Sequence, residues 1–150
     1  MEQIHRVLLI DDDDITNYMN KRIFTKAEMA QQIDVVTDGQ MALAYLASPQ
    51  HLESPLPLDL ILVDIKMSVM DGFDFLDRYQ HLPPERKAKK LFVLSSSASF
   101  YDLHRLKDFS DVDGHLSKPL TQADAQHLIT ENFGTQEAGA TTAQEEEEDL

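Results

Sequence analysis

Five residues of this chain stand where an apolar run stops. Asp11 and Asp12 follow RVLLI, Asp64 follows LILV, Ser95 follows LFVL, and Lys118 comes shortly after a weak run ending at Leu116. Three carboxylates, a hydroxyl and an ammonium make a phosphoryl-handling site if the fold brings them to one rim. The carboxylates alone would repel. At an effective dielectric near 20 and a spacing of roughly 5 Å, each like-charged pair costs about 3 kcal/mol. A hard divalent cation relieves this, and Mg2+ takes one or two carboxylates together with waters and phosphate oxygens. Lys118 adds a positive charge and Ser95 a further donor. Phosphoryl transfer asks a protein chiefly for positioning and charge neutralisation. A carboxylate such as Asp64 is a competent acceptor nucleophile.

A shared rim requires parallel strands. Residues 6–10 read as the first strand. Ile15, Tyr18, Met19, Arg22, Ile23 and Lys26 recur at helical spacing, so residues 15–28 predict a first helix, capped by Asp13 or Asp14. Residues 33–36 predict a second strand. Residues 40–47 predict a second helix, capped by Asp38, with Met41, Ala44, Tyr45 and Leu46 inward. Residues 48–57 hold two prolines and read as a loop. The run at 58–63 is continuously apolar from Leu60, which suits a central strand covered on both faces. Asp71-Gly72 turns the chain into a third helix, 72–82, stopped by Pro83-Pro84. Residues 91–94 predict strand four. Phe100, Tyr101, Leu103, Leu106 and Phe109 predict the core side of a fourth helix, 112–116 a weak fifth strand, and 122–133 a fifth helix.

Strands alternating with helices predict an α/β fold, a flavodoxin-like (βα)5 doubly wound parallel sheet of order 2-1-3-4-5. All carboxyl ends of its strands lie on one edge, where open α/β sheets take their ligands. Residues 1–133 read as one domain. Residues 134–150 have almost no large apolar side chain, end in EEEEDL, and read as a disordered acidic tail.

Composition narrows the function. The net charge is −14, from 13 basic and 27 acidic residues. Seven acids lie beyond residue 130, leaving 20 acids against 13 bases, a net of −7, in the first 130 residues. Direct nucleic-acid binding needs a basic footprint and is not expected. No run reaches the roughly 18 apolar residues of a membrane span. The chain has no cysteine, hence no disulfide framework or thiolate metal site, and a cytoplasmic protein is expected. His5, His51, His81, His104 and His127 are scattered without metal spacing, and His115 reads as a partly buried, hydrogen-bonded histidine.

The ordered landmarks LLIDD, ILVD with MDG downstream, LSSS after a strand, and SKP resemble the receiver domain of two-component response regulators over residues 5–133. The resemblance implies that Asp64 accepts a phosphoryl group from the phosphohistidine of a sensor histidine kinase or histidine phosphotransfer protein. It implies Asp12 as direct Mg2+ ligand, Asp11 acting through water, and Asp64 with the backbone carbonyl of Lys66 completing the metal site. Ser95 matches the switch hydroxyl that swings to the phosphoryl group. Lys118 matches the lysine that bonds a phosphoryl oxygen, and Pro119 the proline after it, often cis. Such a domain is no enzyme in the usual sense; it catalyses only its own phosphorylation and dephosphorylation. Its output would be a changed affinity for an unknown downstream protein, or phosphorelay, through the face of helix four, strand five and helix five. Members of the family can also form homodimers through that face. No output domain fits in the remaining residues, so a stand-alone regulator is expected. Three departures stand out: Ser68 where proline is common, His115 where Tyr or Phe is common, and Lys66 with Ser97 at positions that tune water access. The alternative is a small phosphohydrolase of the haloacid dehalogenase type, using Asp12 and Asp14 of DDDIT. Against it, no acidic pair follows Lys118 and Asp64 is left without a role.

Overall fold

Strand β3 (Leu58–Asp64) is buried along its whole length, as a continuously apolar sequence requires. It pairs in parallel with β1 (Ile4–Ile10) on one side and β4 (Lys90–Ser95) on the other. β2 (Ala30–Val36) lies outside β1, and β5 (Gly114–Ser117) outside β4, so the order is β2-β1-β3-β4-β5. This is the flavodoxin-like order expected from the sequence. The computed structural model describes residues 3–96 and 100–134. The helices are α1 (Asp14–Lys26), α2 (Gly39–Leu46), α3 (Pro49–Leu52), α4 (Gly72–Tyr79), α5 (Phe100–Leu106) and α6 (Gln122–Ile129). None of the described helices is long and apolar enough to cross a membrane.

Period-two alternation splits the core between the two sheet faces. Leu8, Ile10, Ile61, Val63 and Val93 pack with Ala42 and Leu46 of α2, Phe73, Phe75 and Leu76 of α4, and Leu106 of α5. Val7, Leu9, Leu60, Leu62 and Leu94 pack with Phe24 of α1 and with Ala125, Leu128 and Ile129 of α6. Five helices begin with a side chain that accepts the N–H three residues on: Asp13, Asp38, Ser48, Asp71 and Thr121. Asp13 takes this role over Asp14 because its backbone is still extended, whereas Asp14 is already helical.

Several local expectations are corrected. Within 48–57, Ser48 caps the short α3 and Pro49 opens it, a position where the missing proline N–H costs nothing. β5 begins at Gly114 instead of being interrupted there. Met41 points outward, and Ala42 fills the inner face of α2. Tyr101 on α5 is exposed instead of core. Gly134, assigned by composition to the tail, is buried and closes a π turn (Thr130–Gly134) after α6. The remainder of the expected tail, and Ser97, lie outside the described residues.

The largest surprise is α1. Ile15, Tyr18 and Met19, which define its apolar stripe in the sequence, are 72%, 63% and 53% exposed, while Asn17 and Asn20 are buried. The inner side of α1 is polar where it meets the strand-end loop: Asn17 Nδ2 donates to the Asp11 carbonyl at 2.7 Å.

At the other end of the sheet, Arg6 is buried with every donor direction matched. Nε donates to the Leu56 carbonyl at 2.8 Å, Nη1 to the Tyr45 hydroxyl at 2.6 Å, and Nη2 to His51 Nδ1 at 3.0 Å. The Tyr45 hydroxyl in turn donates a hydrogen bond to the Asp34 carboxylate. His51 Nε2 lies 3.0 Å from the Arg86 carbonyl, which can only accept. Its Nδ1 must then accept from Arg6, so the imidazole is neutral. Burial, joined by the Arg6 charge, holds its pKa below the ordinary 6.5.

A group whose folded pKa is depressed binds a proton more readily when unfolded, so its contribution to stability is complete above pH 6.5 and declines as pH falls below it. Urea denaturation should therefore show wild-type stability falling as pH drops below about 6.5, and His51→Gln should flatten that fall. Gly72 generates a second expectation. A Cβ there would lie 2.6 Å from the Asp64 carbonyl oxygen and from the Ile65 Cα, both backbone atoms. Gly72→Ala should cost about 1–3 kcal/mol of unfolding free energy, as overpacking does, read from the urea midpoint.

Candidate functional site

The carboxyl edges of β1, β3, β4 and β5 meet at a cleft of about 550 Å3. Its walls include Asp11, Asp12, Asp64, Lys66, Ser96, Lys118 and Pro119, with Ile15, Met19 and Leu120 on the apolar side. Asp11 and Asp64 follow Leu9 and Leu62 by two residues on adjacent strands, so alternation turns both toward the α1/α6 face. Both are buried, and Asp12 is exposed.

Lys118 ties the two buried acids together. Its Nζ lies 2.6 Å from Asp11 Oδ2 and 3.4 Å from Asp64 Oδ1. Its backbone N–H donates to the Ser95 carbonyl at 3.0 Å, and the Lys118-Pro119 peptide is cis. Asp11 Oδ1 accepts from the Asp13 N–H at 2.9 Å. Asp12 Oδ2 accepts from the Ser68 N–H at 3.0 Å, tying the loop after β3 to that after β1. The loop is closed by the Gly72 N–H donating to the Ile65 carbonyl at 2.7 Å, the approach that leaves no room for a Cβ.

These contacts set the charges. Burial raises the Asp64 pKa, and the neighbouring Asp11 charge raises it further; Lys118 and the Lys66 N–H only partly offset this. For Lys118, burial opposes the charged form, but the bond to Asp11 and the charges of Asp11 and Asp64 outweigh it and hold its pKa above the ordinary value. One ammonium thus faces three carboxylates, whose oxygens lie within 4.8 Å of one another. An all-oxygen cluster left with excess negative charge suits a hard divalent cation.

The expected residues Asp11, Asp12, Asp64, Lys66 and Lys118 are all on the cleft. Ser95 is not: it is 2% exposed, ends β4, and by alternation follows Val93 toward the α5 side. Two hydroxyl residues line the cleft among the described residues, Thr16, whose hydroxyl donates to the Asp13 carboxylate, and Ser96, which sequence order alone did not single out. Asp14, which the phosphohydrolase alternative needs, opens α1 and does not line the cleft. His115 departs from its expectation. Its Nε2 is buried with no hydrogen-bond partner among the described residues, and burial pushes its pKa down.

Comparison with known proteins agrees with this geometry. The family model for the response regulator receiver domain matches residues 7–130. A probable methanogenesis regulatory protein, FilR2 of Methanothrix harundinacea, is 29% identical over 83% of this chain and 79% of its own. Hybrid signal transduction histidine kinase L of Dictyostelium discoideum is 27% identical over 83% of this chain, which spans only 7% of that kinase. A two-component response regulator from Cytophaga hutchinsonii superposes with a TM-score of 0.76 at 31% identity, covering 87% of this chain and 97% of that one. A receiver protein from Dyadobacter fermentans, at 24% identity and TM-score 0.74 over 86% and 98%, shares the fold. The chain therefore belongs to the response regulator receiver family, whose members act as signalling phosphoacceptors and not as enzymes turning over a separate substrate.

Proposed function

We propose that Asp64 accepts a phosphoryl group from the phosphohistidine of a sensor kinase or phosphotransfer protein in a Mg2+-dependent reaction. The observation that supports this most directly is the Lys118 ammonium bridging the buried Asp11 and Asp64 beside the exposed Asp12. As an Asp64 oxygen bonds to phosphorus, the P–N bond to the donor breaks. Its electron pair stays on the imidazole, which takes up a proton. Lys118 is placed to neutralise charge on the incoming phosphoryl oxygens. Asp11, Asp12, Asp64 and the Lys66 carbonyl would hold the Mg2+, which supplies further charge neutralisation when bound.

Surface features support the choice of partners. The exposed Ile15 and Met19 flank the cleft, and an apolar rim beside the acceptor gives a donor protein something to pack on. The α5–β5–α6 face presents Tyr101 and Leu103 and is the surface we assign to a downstream protein, to relay or to a second copy. The net negative charge speaks against nucleic acid as the partner. A donor charged from ATP puts the protein in the cytoplasm.

Acetyl phosphate with Mg2+ should add one phosphoryl group per chain to the wild type, read by intact mass. Asp64→Asn should take none, and undiminished labelling of that variant would remove Asp64 from the role. Chelation of Mg2+ should stop labelling. Asp12→Asn should raise the half-saturating Mg2+ concentration by at least about 10-fold, since loss of even an outer-sphere partner costs that much at metal sites.

A further inference from the structure

We propose that Ser96 supplies a hydroxyl that holds the phosphoryl group on Asp64, a contact separate from that of the switch residue Ser95. The inference rests on the phosphoacceptor reading above. Its basis is the direction in which β4 ends. Leu91 and Val93 face the α2/α4/α5 core, while Phe92 and Leu94 face the α1/α6 core. Ser95 comes next on the first of these faces. It is buried, paired in register with Ser117, and pinned by the Lys118 N–H on its carbonyl. To reach a group on Asp64, its hydroxyl must leave that face. Ser96 follows in a bend just beyond the strand end, and it lines the cleft. It is solvent-exposed and shares the cleft wall with Asp64, Lys66 and Lys118.

The two hydroxyls therefore differ in what their contact costs. Ser96 can donate to a phosphoryl oxygen from the strand end as it stands, so its bond adds to phosphoryl affinity without requiring the output change. Ser95 can donate only by moving away from the side where His115, also turned from the α1/α6 core, lies with its buried and unpartnered Nε2. One serine holds the ligand and its neighbour reports it. A hydrogen bond to a charged oxygen is among the stronger kinds, so losing it should be measurable.

The test is titration of the full chain with beryllofluoride, a phosphoryl mimic, in saturating Mg2+, with amide chemical shifts recorded throughout. Ser96→Ala should weaken beryllofluoride binding about tenfold. Its Mg2+ affinity without fluoride and its thermal midpoint should equal the wild type. At saturation the amides around His115 should still reach their wild-type positions. Ser96→Thr, which keeps the hydroxyl, should restore the affinity. Ser95→Ala should bind within about threefold of wild type but leave the His115 region unshifted. Wild-type affinity in Ser96→Ala overturns the proposal while leaving Asp64 as acceptor. Equal losses in the Ala and Thr variants also overturn it, because the hydroxyl would then not be the cause. Failure of the wild type to bind at all, like an Asp64→Asn control, would overturn the phosphoacceptor reading and this inference with it.

Discussion

A single ammonium held between two buried carboxylates organises the functional end of this protein. Asp11 and Asp64 belong to adjacent strands, β1 and β3, and each is too deeply placed to be screened by water. Lys118 reaches both from beyond β5. Burial raises the Asp64 pKa and opposes the charge on Lys118, but for Lys118 the two carboxylates outweigh burial and hold it charged. The balance is incomplete, because Asp12 adds a third carboxylate and, among the described residues, no second ammonium bonds the cluster. What remains is an excess of negative charge at a place with room for a cation and a phosphoryl group. The parts only meet because parallel strands all end on one edge.

Alternation along the strands then sorts the strand-end side chains between the two faces of the sheet. Asp11 and Asp64 fall toward the α1/α6 side, together with Leu9, Leu62 and Leu94, and Ser96, just beyond the strand end, lines the cleft. Ser95 falls toward the side of Val93 and Leu106. A one-residue step at the end of β4 thus decides whether a hydroxyl meets solvent in the cleft or packs under α5. The same constraint explains α1. Its inner turn must satisfy the Asp11 loop, so Asn17 and Asn20 go inward, and the apolar residues are turned out to flank the cleft. In the first turns of this helix the apolar residues face solvent and the polar ones face inward, while Phe24 further along still fills the core.

The opposite end of the sheet shows how a charge can be buried without a function. Arg6 is enclosed by the Leu56 carbonyl, Tyr45, His51 and, through Tyr45, Asp34. These partners come from β2, α2, α3 and the loop before β3, so the guanidinium ties the first half of the chain together. Every member of the network is satisfied, which is the condition under which a buried polar cluster is tolerable.

Much of this was legible in the residues themselves. The continuous apolar run before Asp64, the acids after RVLLI and the SKP after a weak strand pointed to the parallel fold and to four residues of the cleft, Asp11, Asp12, Asp64 and Lys118. These signals are local: burial on both faces demands an unbroken apolar run, and a lone carboxylate ending such a run demands a reason. The cap at Asp38 and the turn at Asp71-Gly72 were local too. Tertiary structure alone decided which hydroxyl faces the cleft, which side of α1 meets solvent, and who encloses Arg6. Each of those depends on register between strands distant in sequence, or on what a neighbouring loop requires. Periodicity records that a helix has two sides and a strand two faces, but only the packed neighbours determine which of them is the inside.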